Sequence, residues 1–163
     1  VVRALPGLGD LLCAVPALRA VRAAHPGADV SLVGLPGAAW FVERYDDLVD
    51  DLLVLHGVPG LPEVEPDPGG ALHFFAEAQS RRFDLALQLH GSGVVTNPVT
   101  TLLRARRQVT AHLPGHWRPP GTSIPYPAEA HEVHRLLAVT DAAGCPRLTD
   151  RADMPRGGCP CRS

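Results

Sequence analysis

Short apolar runs recur along the chain, each followed by a longer stretch whose apolar residues return every three or four positions. The runs Val1–Leu5, Asp29–Gly34, Asp51–Leu55, Phe83–Leu89 and Gln108–His112 are bounded by turn residues and predict strands. The intervening period predicts helices. In the first, Leu11, Val15 and Leu18 share a face while Arg19 and Arg22 turn away from it, and His25, Pro26 and Gly27 end it. Proline suits the first position of a helix and not its interior. The segment Asp10–Val15 is therefore expected as a tight turn, with the main helix starting at Pro16.

Further helices are expected from about Ala38 to Tyr45, from Ala71 to Arg82 with Leu72, Phe75 and Ala76 inward, and from Asn97 to Arg104 behind Pro98. A last one, from about Glu129 to Ala143, carries Val133, Leu136, Leu137 and Thr140 on or near one face. The Pro- and Gly-rich stretches His56–Gly70 and Leu113–Pro127 are expected to be loops. The acids Glu63, Glu65 and Asp67, with Glu77 beyond them, read as solvated. Strands alternating with helices make the economical architecture an α/β, Rossmann-like parallel sheet with helices on both faces. One such domain is expected over 1–145, followed by an irregular tail over 146–163.

Composition narrows the function classes. The 163 residues are 45% hydrophobic and 20% charged, the balance of a globular domain with a real core. A net charge of −2 argues against general nucleic-acid binding. All 15 cationic side chains are arginine, which excludes a lysine-bearing phosphate loop and Schiff-base chemistry. No apolar run approaches the roughly 18 residues needed to span a bilayer, and no signal-peptide pattern is present, so the expected location is cytoplasmic. Of the four cysteines, Cys13 and Cys145 stand apart, and Cys159-Pro-Cys161 lacks the paired spacing of a zinc site. No metal and no cofactor are expected.

Candidate chemistry gathers at places where predicted strands end, because open α/β sheets bind ligands outside the carboxyl ends of their strands. Pro6, Gly7 and Gly9 lead into Asp10 after the first strand; His90, Gly91, Ser92 and Gly93 follow the fourth; His131, His134 and Arg135 open the last helix. Gly7 and Gly9 match the first two positions of a dinucleotide fingerprint, but the third falls on Leu12. Asp10 is placed either to cap the helix or to react. Ser92 lies in H-G-S-G, not in the G-x-S-x-G elbow of a hydrolase. His131 and His134 are three apart, a spacing that permits metal ligation but is not H-E-x-x-H. The bland alternatives are a hydrogen-bonded turn for His90 and Ser92 and an exposed helix face for H-E-V-H-R.

Taken together, LGDLLCAVPALRAVRAAHPGADVSLVG, FDLALQLHGSG and HEVHRLLAV resemble the N-terminal half of glycosyltransferase family 9, which contains the ADP-heptose:lipopolysaccharide heptosyltransferases. The resemblance runs from Val1 to about Cys145. It implies the N-terminal domain of a GT-B enzyme, an inverting transferase with its active site in a cleft between two Rossmann-like domains. By the same resemblance Asp10 is the catalytic base, a role a carboxylate suits because it can take the proton of an attacking acceptor hydroxyl. Gly7 and Gly9 would let an acceptor sugar approach the backbone; His90, Gly91, Ser92, His131 and Arg135 would contribute to substrate binding. The implied partners are an ADP-sugar donor and a glycan or lipid-linked acceptor, without nucleic acid and without a transmembrane segment, peripheral association with an inner membrane being compatible with both. The family's second, donor-binding domain has no counterpart in this sequence, and DMPRGGCPCRS matches none of its motifs. The competing expectation is a non-catalytic remnant or binding module.

Overall fold

The computed structural model describes residues 2–3, 7–58, 60–61 and 65–152. Six parallel strands form one sheet: β1 (Val2–Arg3), β2 (Ser31–Gly34), β3 (Asp51–Val54), β4 (Leu85–Gln88), β5 (Arg107–His112) and β6 (Thr122–Pro125). Their order is β3-β2-β1-β4-β5-β6. The helices are α1 (Leu8–Ala24), α2 (Ala39–Arg44, after a 3₁₀ turn at Pro36–Ala38), α3 (Pro68–Ser80), α4 (Thr96–Leu102) and α5 (Glu132–Ala142).

Alternation along the strands sorts the core onto two faces, since successive side chains point to opposite sides of a sheet. Leu32 joins Leu11, Leu18, Phe41, Leu87, Val109 and Leu136 in one cluster, built on α1, α2 and α5. Its neighbour Val33 joins Leu53, Phe74, Ala78, Val99 and Leu103 in the other, built on α3 and α4. The sheet is therefore covered by helices on both faces, as the alternating pattern predicts.

Several local expectations are corrected. Helix α1 starts at Leu8 and runs unbroken through Pro16 instead of starting there. Pro16 removes one backbone hydrogen bond, but Leu11, Ala14, Val15, Ala17 and Leu18 around it are all fully buried, and their packing keeps the helix continuous. Helix α3 buries Ala71, Phe74 and Ala78, while Leu72 is 73% exposed. Two apolar stripes adjoin on this helix, and periodicity alone did not choose between them. Asp67 is not merely solvated: its carboxylate accepts the Gly70 N–H at 3.0 Å and caps α3. Glu77 pairs with Arg81 at 2.6 Å. Helix α5 begins at Glu132 and not Glu129. Its expected inward face is confirmed, with Val133, Leu136, Leu137 and Thr140 buried.

The largest correction is β6, which lies inside the segment expected to be a loop. It pairs in register with β5, Val109 beside Thr122 through His112 beside Pro125. The connection from β5 to β6 contains no helix, and Gly121, at φ +86°, turns the chain against Gln108. Beyond α5, the tail's first residues lie along the domain: Arg19 donates to the Arg151 carbonyl at 3.0 Å, and His134 stands 3.8 Å from Asp150. Ala4, Leu5, Pro6, Glu63, Cys159 and Cys161 fall outside the described residues. No helix among the described residues is long and apolar enough to cross a membrane.

Candidate functional site

The strand order reverses between β1 and β4. From β1 the chain proceeds outward to β2 and β3; from β4 it proceeds the other way to β5 and β6. Arg3 pairs with Gln88 at the carboxyl end of these two central strands. Helix α1, with Gly9 and Asp10 in its first turn and Gly7 just before it, follows β1, and the turn carrying His90, Gly91 and Ser92 follows the neighbouring β4. Such a reversal splays the connections to opposite faces and opens a crevice where α/β folds bind ligands.

On the β1 side, Gly7 is the residue before α1, with φ −73° and ψ 143°, and no side chain caps the helix. Asp10 is not the N-cap that was one of its two expected roles; it sits in the helix's first turn. A Cβ on Gly7 would come 2.7 Å from Asp10 Oδ2, so the carboxylate folds back over Gly7. Gly9 is exposed, with open space on its Cβ side. The carboxylate lies at the positive end of the α1 dipole, which favours its negative charge.

On the β4 side, a knot of buried polar groups shapes the turn. Gln88, 1% exposed, donates through Nε2 to the His90 carbonyl and to Thr96 Oγ1. Thr96 Oγ1 donates in turn to the His90 carbonyl at 3.1 Å. Asn97, also 1% exposed, donates to the Ala111 carbonyl at 2.8 Å, and its own N–H bonds Gly93 O at 2.9 Å. Gly91 and Gly93 take φ of +57° and +86°, the left-handed region that glycine enters without a Cβ penalty. A cavity of about 200 Å³ opens against this turn, lined by Leu61, His90, Ser92, Val94, Val95 and Thr96.

Helix α5 supplies the third wall, packed against α1. A notch of about 10 Å³, room for about one water, is lined by Gln88, His90, Gly91, Tyr126, Glu132 and Arg135 among others. His90, Gly91 and Arg135 therefore line one notch, which Asp10, Ser92, His131 and His134 of the sequence grouping do not line. His131 caps α5, its Nδ1 accepting the Val133 N–H at 3.4 Å. His134 faces Asp150 and the tail instead of this notch. Burial first, and then the charges of Glu132 and Asp10, push the Cys13 thiol up from its ordinary range. Glu132, Cys13, Gln88 and Thr96 were not singled out by sequence reasoning; Glu132 was legible only as the acid three residues ahead of Arg135.

A larger cavity, about 610 Å³, lies at the opposite edge of the sheet, at the amino ends of β2, β3 and β4, lined by Asp29, Ser31, Asp50, Asp51, Arg81 and Asp84 among others. Several of its charges are held in ion pairs. Arg81 pairs with Asp51 and Glu77, and Arg22 with Asp50 at 2.7 Å. We read it as structural and place the site at the strand reversal. Among the described residues no group of three His, Cys, Asp or Glu could hold a metal ion.

The fold defines the class: a doubly wound, Rossmann-like α/β domain whose strand order reverses between β1 and β4. The chain is similar in structure to a glycosyl transferase family 9 protein from Veillonella parvula DSM 2008, with a TM-score of 0.65 and 20% sequence identity. The likeness covers 88% of this chain and 41% of that one, so the chain spans less than half of its structural neighbour. No family model and no curated protein matches the sequence. At this identity the likeness establishes the shared fold.

Proposed function

We propose that this chain is the acceptor-side domain, over 1–145, of an inverting glycosyltransferase that moves a heptose-type sugar from an ADP-sugar to a glycan or lipid-linked acceptor. The observation that carries the reading is the position of Asp10: a carboxylate in the first turn after β1, folded over Gly7 and flanked by open space at Gly9, at the strand reversal. Its fold is similar to that of 41% of the chain of a glycosyl transferase family 9 protein, which supports the reading. Asp10 takes the proton of an acceptor hydroxyl as that oxygen attacks the anomeric carbon from the face opposite the nucleotide. The bond to the diphosphate breaks, the nucleoside diphosphate leaves with the electron pair, and the configuration inverts. Gly7, Gly9, His90, Gly91, Ser92 and His131 line the acceptor's approach. No metal or organic cofactor enters the scheme. We place the reaction in the cytoplasm, where free thiols such as Cys13 and Cys145 persist.

The test uses the enzyme with a donor-binding domain supplied, in full-length or reconstituted form. Asp10→Asn keeps size and an accepting oxygen but cannot take a proton, so kcat should fall by about 10² to 10⁴. Asp10→Ala should fall as far. Because no side-chain capping bond is made at the start of α1 among the described residues, the Ala variant should cost only the dipole contribution, about 0.3–1 kcal/mol. Near-normal kcat in Asp10→Asn would move the base elsewhere and favour the non-catalytic module.

A further inference from the structure

Buried polar side chains gather on α4 and the strands β4, β5 and β6: Gln88, Thr96, Asn97, Thr100, Thr110 and Ser123. Two of them lead to a histidine. Thr110 and Ser123 are register partners on β5 and β6. Thr110 Oγ1 lies 3.0 Å from Ser123 Oγ, which lies 2.8 Å from His112 Nδ1. These are the only hydrogen bonds of the three side chains among the described residues. The protons of this row have one order. Thr110 is fully buried, so its hydroxyl proton has Ser123 Oγ as its acceptor. Ser123 then directs its own single proton to His112 Nδ1. A neutral imidazole that accepts at Nδ1 carries its hydrogen on Nε2.

The position of the ring gives that hydrogen a use. His112 closes β5 at its carboxyl end, the edge at which the neighbouring β4 gives way to the turn of His90 and Ser92. Its carbonyl accepts the Tyr126 N–H at 2.8 Å, and Ala111 and Tyr126 both line the notch with His90 and Gly91. The ring is half-buried, and its Nε2 has no hydrogen-bond partner among the described residues and is not shut away from solvent.

We propose that His112 is a further ligand-binding residue of the carboxyl edge: Thr110 and Ser123 lock its ring so that Nε2–H is offered to a ligand oxygen that accepts a hydrogen bond. Thr110 and Ser123 are positioning residues, acting through the ring. A ring held this way has no free lone pair, so it takes neither a metal ion nor a hydrogen-bond donor. That the accepting oxygen belongs to a sugar rests on the transferase reading; the locked tautomer does not.

Long-range proton–nitrogen correlation spectra of the nitrogen-15-labelled full chain read the tautomer directly. They are recorded at about pH 8, above the range in which histidines ordinarily titrate, and His112 is assigned by its loss in His112→Gln. The two ring nitrogens should be widely separated in shift, with Nδ1 the unprotonated one. In Ser123→Ala, with its fold checked by circular dichroism, the two shifts should draw together as the ring exchanges between tautomers. Ser123→Thr, which restores a hydroxyl, should separate them again. Hydrogen on Nδ1, averaged shifts in the parent chain, or no change in Ser123→Ala overturns the lock. The parent spectrum decides even if the variant fails to fold. The binding role is read by titrating the parent chain with methyl α-D-mannopyranoside and, separately, with inorganic phosphate. A saturable displacement of the Nε2 resonance by the glycoside is expected. Displacement by phosphate alone keeps the binding role and overturns the sugar, and with it the transferase reading of this edge. Displacement by neither overturns the binding role itself.

Discussion

At the scale of single residues, Gly7 and Asp10 act as a pair. Gly7 has an ordinary extended backbone, so its lack of a side chain serves the Asp10 carboxylate that lies over it and not a special φ. Gly7→Ala should therefore fold, with a loss of at most about 1 kcal/mol from the poorer cap. The added methyl displaces the carboxylate, and in an enzyme carrying the donor domain kcat should drop by about tenfold or more, since small misplacements of a catalytic group are costly. Unchanged kcat would separate Asp10's position from its role. Asp50 shows a different use of a carboxylate. Burial pushes its pKa up, but the Val30 N–H at 2.6 Å and Arg22 outweigh that and hold it below the usual range. A lowered folded-state pKa stabilises above the unfolded value, and that contribution fades as pH falls through the folded one. Asp50→Asn should therefore be less stable than the parent by about 1 kcal/mol near pH 7, a figure kept small by solvent screening. The gap should close below about pH 4, and urea midpoints measured from pH 7 to pH 3 check both the sign and the window.

At the scale of elements, the turn between β4 and α4 is the most over-determined part of the site. Gln88 and Thr96 bind the His90 carbonyl from within the core, the Asn97 N–H binds the Gly93 carbonyl while its side chain holds Ala111 on β5, and Gly93 passes so near Asn97 and the Ala111 carbonyl that no Cβ fits. Gly93→Ala combines that clash with a left-handed φ of +86°. It should cost about 2–4 kcal/mol, in the range of mutations that force strain into a packed site, whereas Gly91→Ala has open space around its Cβ and should show only the smaller conformational penalty of about 1 kcal/mol. Thermal melts of the two variants compare them directly; equal losses would mean that the Asn97 contact carries no weight.

At the scale of the whole molecule, the chain forms one complete sheet with helices on both faces, yet it spans only 41% of its structural neighbour. If the donor nucleotide binds to a separate domain, the purified 163-residue chain should release no ADP from an ADP-sugar above a buffer control. Measurable turnover by the chain alone would show that the donor site lies within these residues and would replace the two-domain scheme.

What was legible in the sequence followed from local periodicity. Alternating apolar runs and amphipathic stretches were enough for the strand–helix order, the parallel sheet and the inward face of α5, because each depends on residues within a few positions of one another. The turn bearing His90 was legible for the same reason, as small residues at a strand end, whereas Asp10, expected in a tight turn, lies in the first turn of α1. Tertiary structure alone decided the rest. Helix α1 survives Pro16 because buried neighbours hold it. Leu72 faces solvent because the sheet selected the adjacent stripe of Ala71, Phe74 and Ala78. β6 exists because β5 offers Thr122–Pro125 a row of backbone partners, although its own proline and polar residues resemble a loop. Helices α1 and α5, more than a hundred positions apart in the chain, meet only because both pack on one face of the sheet. Contacts at that separation leave no periodic trace, so no local pattern could have revealed them.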